Sequence, residues 1–166
     1  MIIVTGTAAR CGTSAMMRAL LDDGYKPHSY SEKFPEYVAP EKNPEGFWDV
    51  KKEYLFSSDP IPTEDAVIKL WGPQFHRVEV DDIEAVIVMH RSDIAAQAKS
   101  IRSCAIAEGL GDLSPVQVAE MFRIQQDGLT KIFSETPQIR VNMDSLRADP
   151  QAVISNIKEI VQWQQQ

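Results

Sequence analysis

Met1 to Asp23 reads MIIVTGTAARCGTSAMMRALLDD, in the order of a strand, a loop and a helix. Ile2, Ile3 and Val4 form a short apolar run that breaks at Gly6. A loop of small residues follows, and beyond Gly12-Thr13-Ser14 the apolar residues Met16, Met17, Leu20 and Leu21 recur on one helix face. A strand that hands over to a helix in this way turns several backbone N–H groups and a helix N-terminus toward one point. That point suits a phosphate or a sulfate.

The phosphate loop of ATPases and GTPases places a lysine directly after its second glycine, for the outer phosphates, and then a hydroxyl for magnesium. Here Thr13 follows Gly12, so that lysine is missing, and Gly6 lies one residue too far upstream. The positive charge has moved inside the loop, to Arg10. Such a loop is poorly equipped for a magnesium–triphosphate, but amides, hydroxyls and one guanidinium hold a less charged phosphate well. The bland alternative is a tight turn that binds nothing. Cys11, at a helix start, raises the question of a reactive thiol. A phosphatase with five residues between cysteine and arginine needs arginine at position 17, which is Met17, and Arg18 is one residue too far.

With 166 residues the chain reads as one domain, 1–166, large enough to bury a proper core. Hydrophobic residues at 43% and charged ones at 25% place it among ordinary globular proteins. A net charge of −7 argues against a nucleic-acid or anionic-membrane surface, although amides still make a local positive site for a small anion. No apolar run approaches a membrane span, and Met1 leads into a strand without a leader pattern. Cys11 and Cys104 give no disulfide framework, so the chain reads as cytoplasmic and reducing. No metal is expected, because no His/Cys/Asp spacing of a structural site occurs.

Residues 24–42 are rich in Tyr, Pro and charge and read as an irregular loop; Asn43-Pro44 then looks like a helix start. Ala66 to Leu70 reads as a short buried strand ended by Trp71-Gly72-Pro73. Glu84 to Met89 is the clearest strand, apolar enough to be buried on both faces. A helix follows His90-Arg91-Ser92-Asp93, runs through about Ala107 and is broken by Gly109 to Asp112. Ser114-Pro115-Val116-Gln117 is a capping-box start for a helix to about Phe133, with Val118, Met121, Phe122, Ile124, Gln125 and Leu129 mixing core and surface positions. Gln138 to Asn142 is the last strand. Asp149 and Pro150 then open a helix that presents Val153, Ile154, Ile157, Ile160 and Val161, with a frayed tail from Gln162. The alternation predicts a three-layer α/β/α sandwich with a mainly parallel sheet, of the P-loop NTPase-like kind.

Several of these stretches together resemble the sulfotransferase family. Its first motif, Pro-(Lys/Arg)-Ser-Gly-Thr-(Ser/Thr), is matched by Ala9-Arg10-Cys11-Gly12-Thr13-Ser14, with Ala9 for the proline and Cys11, a small residue, for the serine. Asn43-Pro44-Glu45-Gly46-Phe47-Trp48-Asp49 resembles a segment common in small bacterial members, and the strand before Asp149-Pro150 resembles the family's closing elements. The resemblance implies transfer of a sulfuryl group from 3′-phosphoadenosine-5′-phosphosulfate (PAPS) to a hydroxyl or amine of a small-molecule or carbohydrate acceptor. It implies that Arg10, Cys11, Gly12, Thr13 and Ser14 hold the 5′-phosphosulfate and that Arg91 and Ser100 hold the 3′-phosphate. The interval from Arg91 to Ser100 is one residue longer than the commoner one, and Arg102 is a reserve. Lys69 matches the lysine of the family's Ile-Lys-Thr-His-(Leu/Phe)-Pro segment and Pro73 its proline, but Trp71 takes the place of the histidine base and cannot accept a proton. Asp49, then Glu45 or His76, are the substitutes. Residues 24–64 and 103–135 remain to shape the acceptor pocket.

Two other readings stay open: a P-loop kinase or NTPase with Asp93 as its magnesium carboxylate, and a binding protein that kept the nucleotide pocket but lost the base. Arg91 also has a bland role, a surface salt bridge with Asp93, and His90 reads as a loop residue.

Overall fold

The computed structural model describes residues 1–26, 67–78 and 80–164. Four strands, β1 (Ile2–Gly6), β2 (Val67–Lys69), β3 (Ala85–His90) and β4 (Gln138–Asn142), form one sheet in the order β2-β1-β3-β4. All the pairings are parallel, with Ile2 opposite Val67 on one side and Ala85 on the other, and Ile87 opposite Ile139. The helices are α1 (Thr13–Asp22), α2 (Ile94–Ala107), α3 (Pro115–Ile132), α4 (Met143–Ala148) and α5 (Pro150–Gln164), with 3₁₀ turns at Gly72–Arg77 and Val80–Asp82.

Side chains on a strand alternate between faces, so an apolar run with no polar interruption has to be covered twice. Ile2 and Val4 of β1 and Ile87 and Met89 of β3 pack with Met16, Met17 and Leu20 of α1 and Ile154 and Ile157 of α5. Their neighbours Ile3, Val86 and Val88 pack the other way, with Leu129 of α3, Phe133 and Phe75 of the first 3₁₀ turn. The result is three layers, helix on sheet on helix. α1, which follows β1, lies on one face, while the first 3₁₀ turn after β2 and α3 before β4 lie on the other.

Local signals set the ends of the elements. The Ser114 side chain accepts from Gln117 N–H at 3.3 Å, and Gln117 Oε1 accepts from Ser114 N–H at 2.9 Å, so the expected capping box is formed. Asp149 caps α5 through Ala152 N–H at 3.0 Å. Three expectations change. The first strand runs on through Gly6, because that residue still pairs with Met89. An unforeseen helix, α4, is capped by Asn142, whose side chain accepts from Asp144 N–H at 2.7 Å; six residues are too few to show a period. The last helix continues to Gln164, past the tail expected to fray, because Val161 is still buried against the α1 face.

Ile87 is fully buried in β3. Ile87→Ala is expected to lower unfolding free energy by about 2–5 kcal/mol in denaturant titration. Ser114→Ala, which removes only a cap, is expected to cost about 1 kcal/mol.

Candidate oxyanion site at the carboxyl ends of the strands

β1 and β3 are neighbours, yet their following helices depart over opposite faces, α1 over one and the α2–α3 connection over the other. Such a divergence opens a crevice beyond the strand ends, where ligands of open α/β sheets gather. The loop Thr7–Gly12 sits there.

Thr7 N–H still donates to Met89 O at 2.9 Å, and Met16 N–H donates to Gly12 O at 3.0 Å as the first bond of α1. Between them, no N–H from Ala8 through Ala15 reaches a protein oxygen among the described residues. Gly12 stands at the N-cap and supplies no side-chain cap. The backbone alternates in hand along this run: φ is +64° at Arg10 and +101° at Gly12 and negative at Ala9 and Cys11. Alternation of this kind folds successive N–H groups into a concave anion nest. Gly12 supplies its positive φ without strain; Arg10 does not, and a non-glycine there costs of order 1 kcal/mol or more.

Side chains from the end of β2 and from α2 meet the loop. Arg10 Nε donates to Ser100 Oγ of α2 at 3.3 Å, joining the two motifs that the resemblance assigned to the two phosphates of the donor. Lys69, at the end of β2 and only 3% exposed, donates from Nζ to Ser14 Oγ at 3.1 Å and lies 5.8 Å from the Trp71 ring centre. Arg91 follows β3 directly and is half-buried; among the described residues no ion pair or side-chain hydrogen bond engages it. Its expected partner Asp93 instead caps α2, accepting from Ala96 N–H at 2.8 Å. The reserve Arg102 is held away by Asp112 through two bonds of 2.9 and 2.6 Å. His76 is exposed on the 3₁₀ turn, and His90 is half-buried at the end of β3. Asp49 and Glu45, with the whole segment Asn43 to Asp49, lie outside the described residues.

Cys11 points inward. Its side chain is fully buried in the α1-side core, and a Cβ added to Gly6 would stand 1.9 Å from its sulfur. Burial pushes its thiol up from 9.0 to about 11, against the opposing pull of the Ala8, Thr13 and Cys11 backbone amides and the Lys69 charge. Cys11 therefore adds backbone to the site, and its sulfur takes up space under the loop.

Two buried glutamines serve the site without having been given a role by the sequence, although Gln125 was counted among the positions of its helix. Gln97 of α2 donates to loop carbonyls. Gln125 of α3 donates to Thr5 Oγ1 at the end of β1 and accepts from Gly72 N–H at 2.7 Å, tying β1 to the segment that carries Trp71. Each is a polar residue on an otherwise apolar stripe, Gln97 with Ile101 and Ala105, Gln125 with Val118 and Leu129. That interruption is the signal that was available.

Among the described residues no helix is long and apolar enough to cross a membrane, and no cluster of His, Cys, Asp and Glu is placed to hold a metal ion. Comparison with protein-family models, curated proteins and solved structures finds no significant match for the chain.

Gly6→Ala is expected to destabilise the fold by about 1–3 kcal/mol through the clash with the Cys11 sulfur, and Cys11→Ala is expected to relieve part of that loss. The thiol also sets a pH dependence. An unfolded chain gives up this proton near pH 9 and the folded one near 11. Its contribution to stability is thus full below pH 9 and falls by about 1.4 kcal/mol per unit as pH rises toward 11. Denaturant titrations across this window should show a steeper loss for the parent than for Cys11→Ala.

Proposed function

We propose that this chain is a compact, sulfotransferase-like enzyme that transfers a sulfuryl group from PAPS to a hydroxyl or amine acceptor. The observation that carries the reading is the run from Ala8 to Ala15, in which no N–H reaches a protein oxygen and only those of Ala8, Cys11 and Thr13 turn to the Cys11 sulfur, ringed by Arg10, Ser14, Lys69 and Ser100. More than nine-tenths of buried backbone N–H groups in folded proteins are paired. Those of Ala9, Arg10 and Gly12 reach neither a protein oxygen nor the Cys11 sulfur, and beside a guanidinium and an ammonium they favour an oxyanion as partner.

The donor supplies an activated sulfuryl group on a phosphate leaving group. Arg10, Gly12, Thr13 and Ser14 hold its 5′-phosphosulfate, with the backbone of Cys11, while Arg91 and Ser100 hold its 3′-phosphate. The Arg10–Ser100 bond is then a resting contact that both residues exchange for phosphate oxygens. As the sulfuryl group passes in line to the acceptor oxygen or nitrogen, negative charge grows on the bridging oxygen of the phosphate. Lys69, held at the end of β2 beside Ser14, and Arg10, once turned to the donor, stabilise that charge. The acceptor proton goes to a side-chain base, for which Asp49 is the first candidate and Glu45 or His76 the next, because Trp71 takes no proton.

A second reading, a nucleotide-binding protein without catalysis, is favoured by one feature: Trp71 fills the base position and lies against the Lys69 ammonium. The kinase reading loses ground, since Asp93, its magnesium carboxylate, is already committed as the cap of α2.

Thermal-shift measurement separates these readings. At a hundredfold excess over Kd, 3′,5′-phosphoadenosine should raise Tm by about 5–10 °C, and ATP–magnesium by less. The reverse order favours a kinase. Arg10→Ala should weaken 3′,5′-phosphoadenosine about tenfold or more in calorimetry, as expected for losing a charge-assisted bond. Unchanged binding would refute the donor assignment, and donor binding without sulfuryl transfer to a broad acceptor panel selects the second reading.

A further inference from the structure

Helix α2 grips the loop by its backbone as well as through Arg10. Gln97 is fully buried, and its Nε2 donates to two consecutive carbonyls, Ala9 O at 2.9 Å and Ala8 O at 3.4 Å. In a trans peptide the N–H points opposite to the C=O of the preceding residue. No peptide bond described is cis. With the Ala8 and Ala9 carbonyls drawn to Gln97, the N–H groups of Ala9 and Arg10 face away from it. Both belong to the unpaired run.

The amide of Gln97 has one workable orientation. Turned over, its Oε1 would face two carbonyl oxygens. In the orientation adopted, Oε1 is buried with no partner. A leucine would spare the orphaned Oε1 but would strip the Ala8 and Ala9 carbonyls of this donor, so the glutamine serves the loop backbone and not packing alone. Ser100, three residues on and on the same helix face, receives the Arg10 guanidinium. One face of α2 thus fixes both the loop backbone and the loop cation, and does so at the residue held at φ +64°.

We infer that Gln97 is a positioning residue of the oxyanion loop: it sets the two peptide planes flanking Ala9 so that the Ala9 and Arg10 N–H groups stay aimed at the bound oxyanion. The inference deepens the donor-site reading and rests on it for the identity of the nucleotide, but its test does not depend on the nucleotide alone. Three proteins are compared: parent, Gln97→Leu and Gln97→Glu. The glutamate variant keeps the shape of the side chain. Protonated, its carboxyl donates to Ala9 O; ionised, it repels both carbonyls. Inorganic sulfate is the probe for the pH series, because its charge is constant from pH 5 to 8. Binding is read from the backbone amide shifts of Ala9 and Arg10, on protein shown to be folded at each pH.

Sulfate affinity relative to the parent is expected to fall about tenfold for Gln97→Leu at every pH. For Gln97→Glu it should fall at pH 8 and recover toward parent values at pH 5. Should Gln97→Leu fail to fold, the pH recovery of Gln97→Glu alone decides. A purely structural role would lower the stability of both variants but leave the sulfate affinity of the folded protein equal to the parent at every pH, and that result overturns the inference. A parent that binds sulfate but not 3′,5′-phosphoadenosine, with the same variant pattern, upholds Gln97 and sinks the PAPS reading. A parent that binds neither sinks both.

Discussion

A strand covered on both faces and paired along both edges has only its ends left to meet anything other than protein. β1 is such a strand: Ile2, Ile3 and Val4 are buried to 3% exposure or less, and β2 and β3 close its two sides. Its amino end is occupied by Met1, also buried, whose ammonium donates to Glu84. Its carboxyl end opens where the helices after β1 and β3 part company. The polar side chains that gather there, Arg10, Ser14, Lys69 and Ser100, do so because that is where the sheet stops excluding them. An acidic chain acquires a local positive site in this way without any change in its overall charge.

Holding that site open takes polar struts from the opposite layer. Gln97 and Gln125 come from α2 and α3, on the far side of the sheet from α1, and each bridges groups that a purely apolar interface would leave unsatisfied. Gln125 ties Thr5 to Gly72, and a Cβ on Gly72 would stand 3.2 Å from its oxygen, so the closeness of α3 to the Trp71 segment depends on that glycine. Gly6 plays a comparable part under the loop, where the Cys11 sulfur occupies the space a side chain would need.

The framework was legible from residue types because each element carried its own local signal. Val86 to Met89 is apolar without interruption, and Ser114 with Gln117 and Asp149 with Pro150 mark helix starts through chemistry confined to a few residues. The core face of α5 was read correctly for the same reason. The site was legible only in part. Gly12 and Thr13 announce a loop that closes on a helix, but nothing local tells that Cys11 turns inward, since its direction is set by the αL residues on either side. Arg10 and Ser100 are ninety positions apart, and their contact follows from the strand order, which no single stretch encodes. Gln97 was passed over and Gln125 was given no role at the site because a glutamine on a helix is ordinarily solvated, and only its position on an apolar stripe sets it apart. Asp49 was chosen on the chemistry of its segment and lies outside the described residues.

The placement of β1 at the centre of the sheet also governs the order in which the molecule can be assembled. β1 pairs with residues 67–69 and 85–89, so during synthesis it waits, apolar and unsatisfied, until those residues have been made. Closing loops of that length before any pairing is gained is slow, and a waiting strand of this composition is a template for wrong partners. The oxyanion loop has no independent existence in such a sequence of events. It depends on β1, on α1 and on α2 at once, so it takes shape only as the sheet closes, and a partly folded chain has no such crevice to offer.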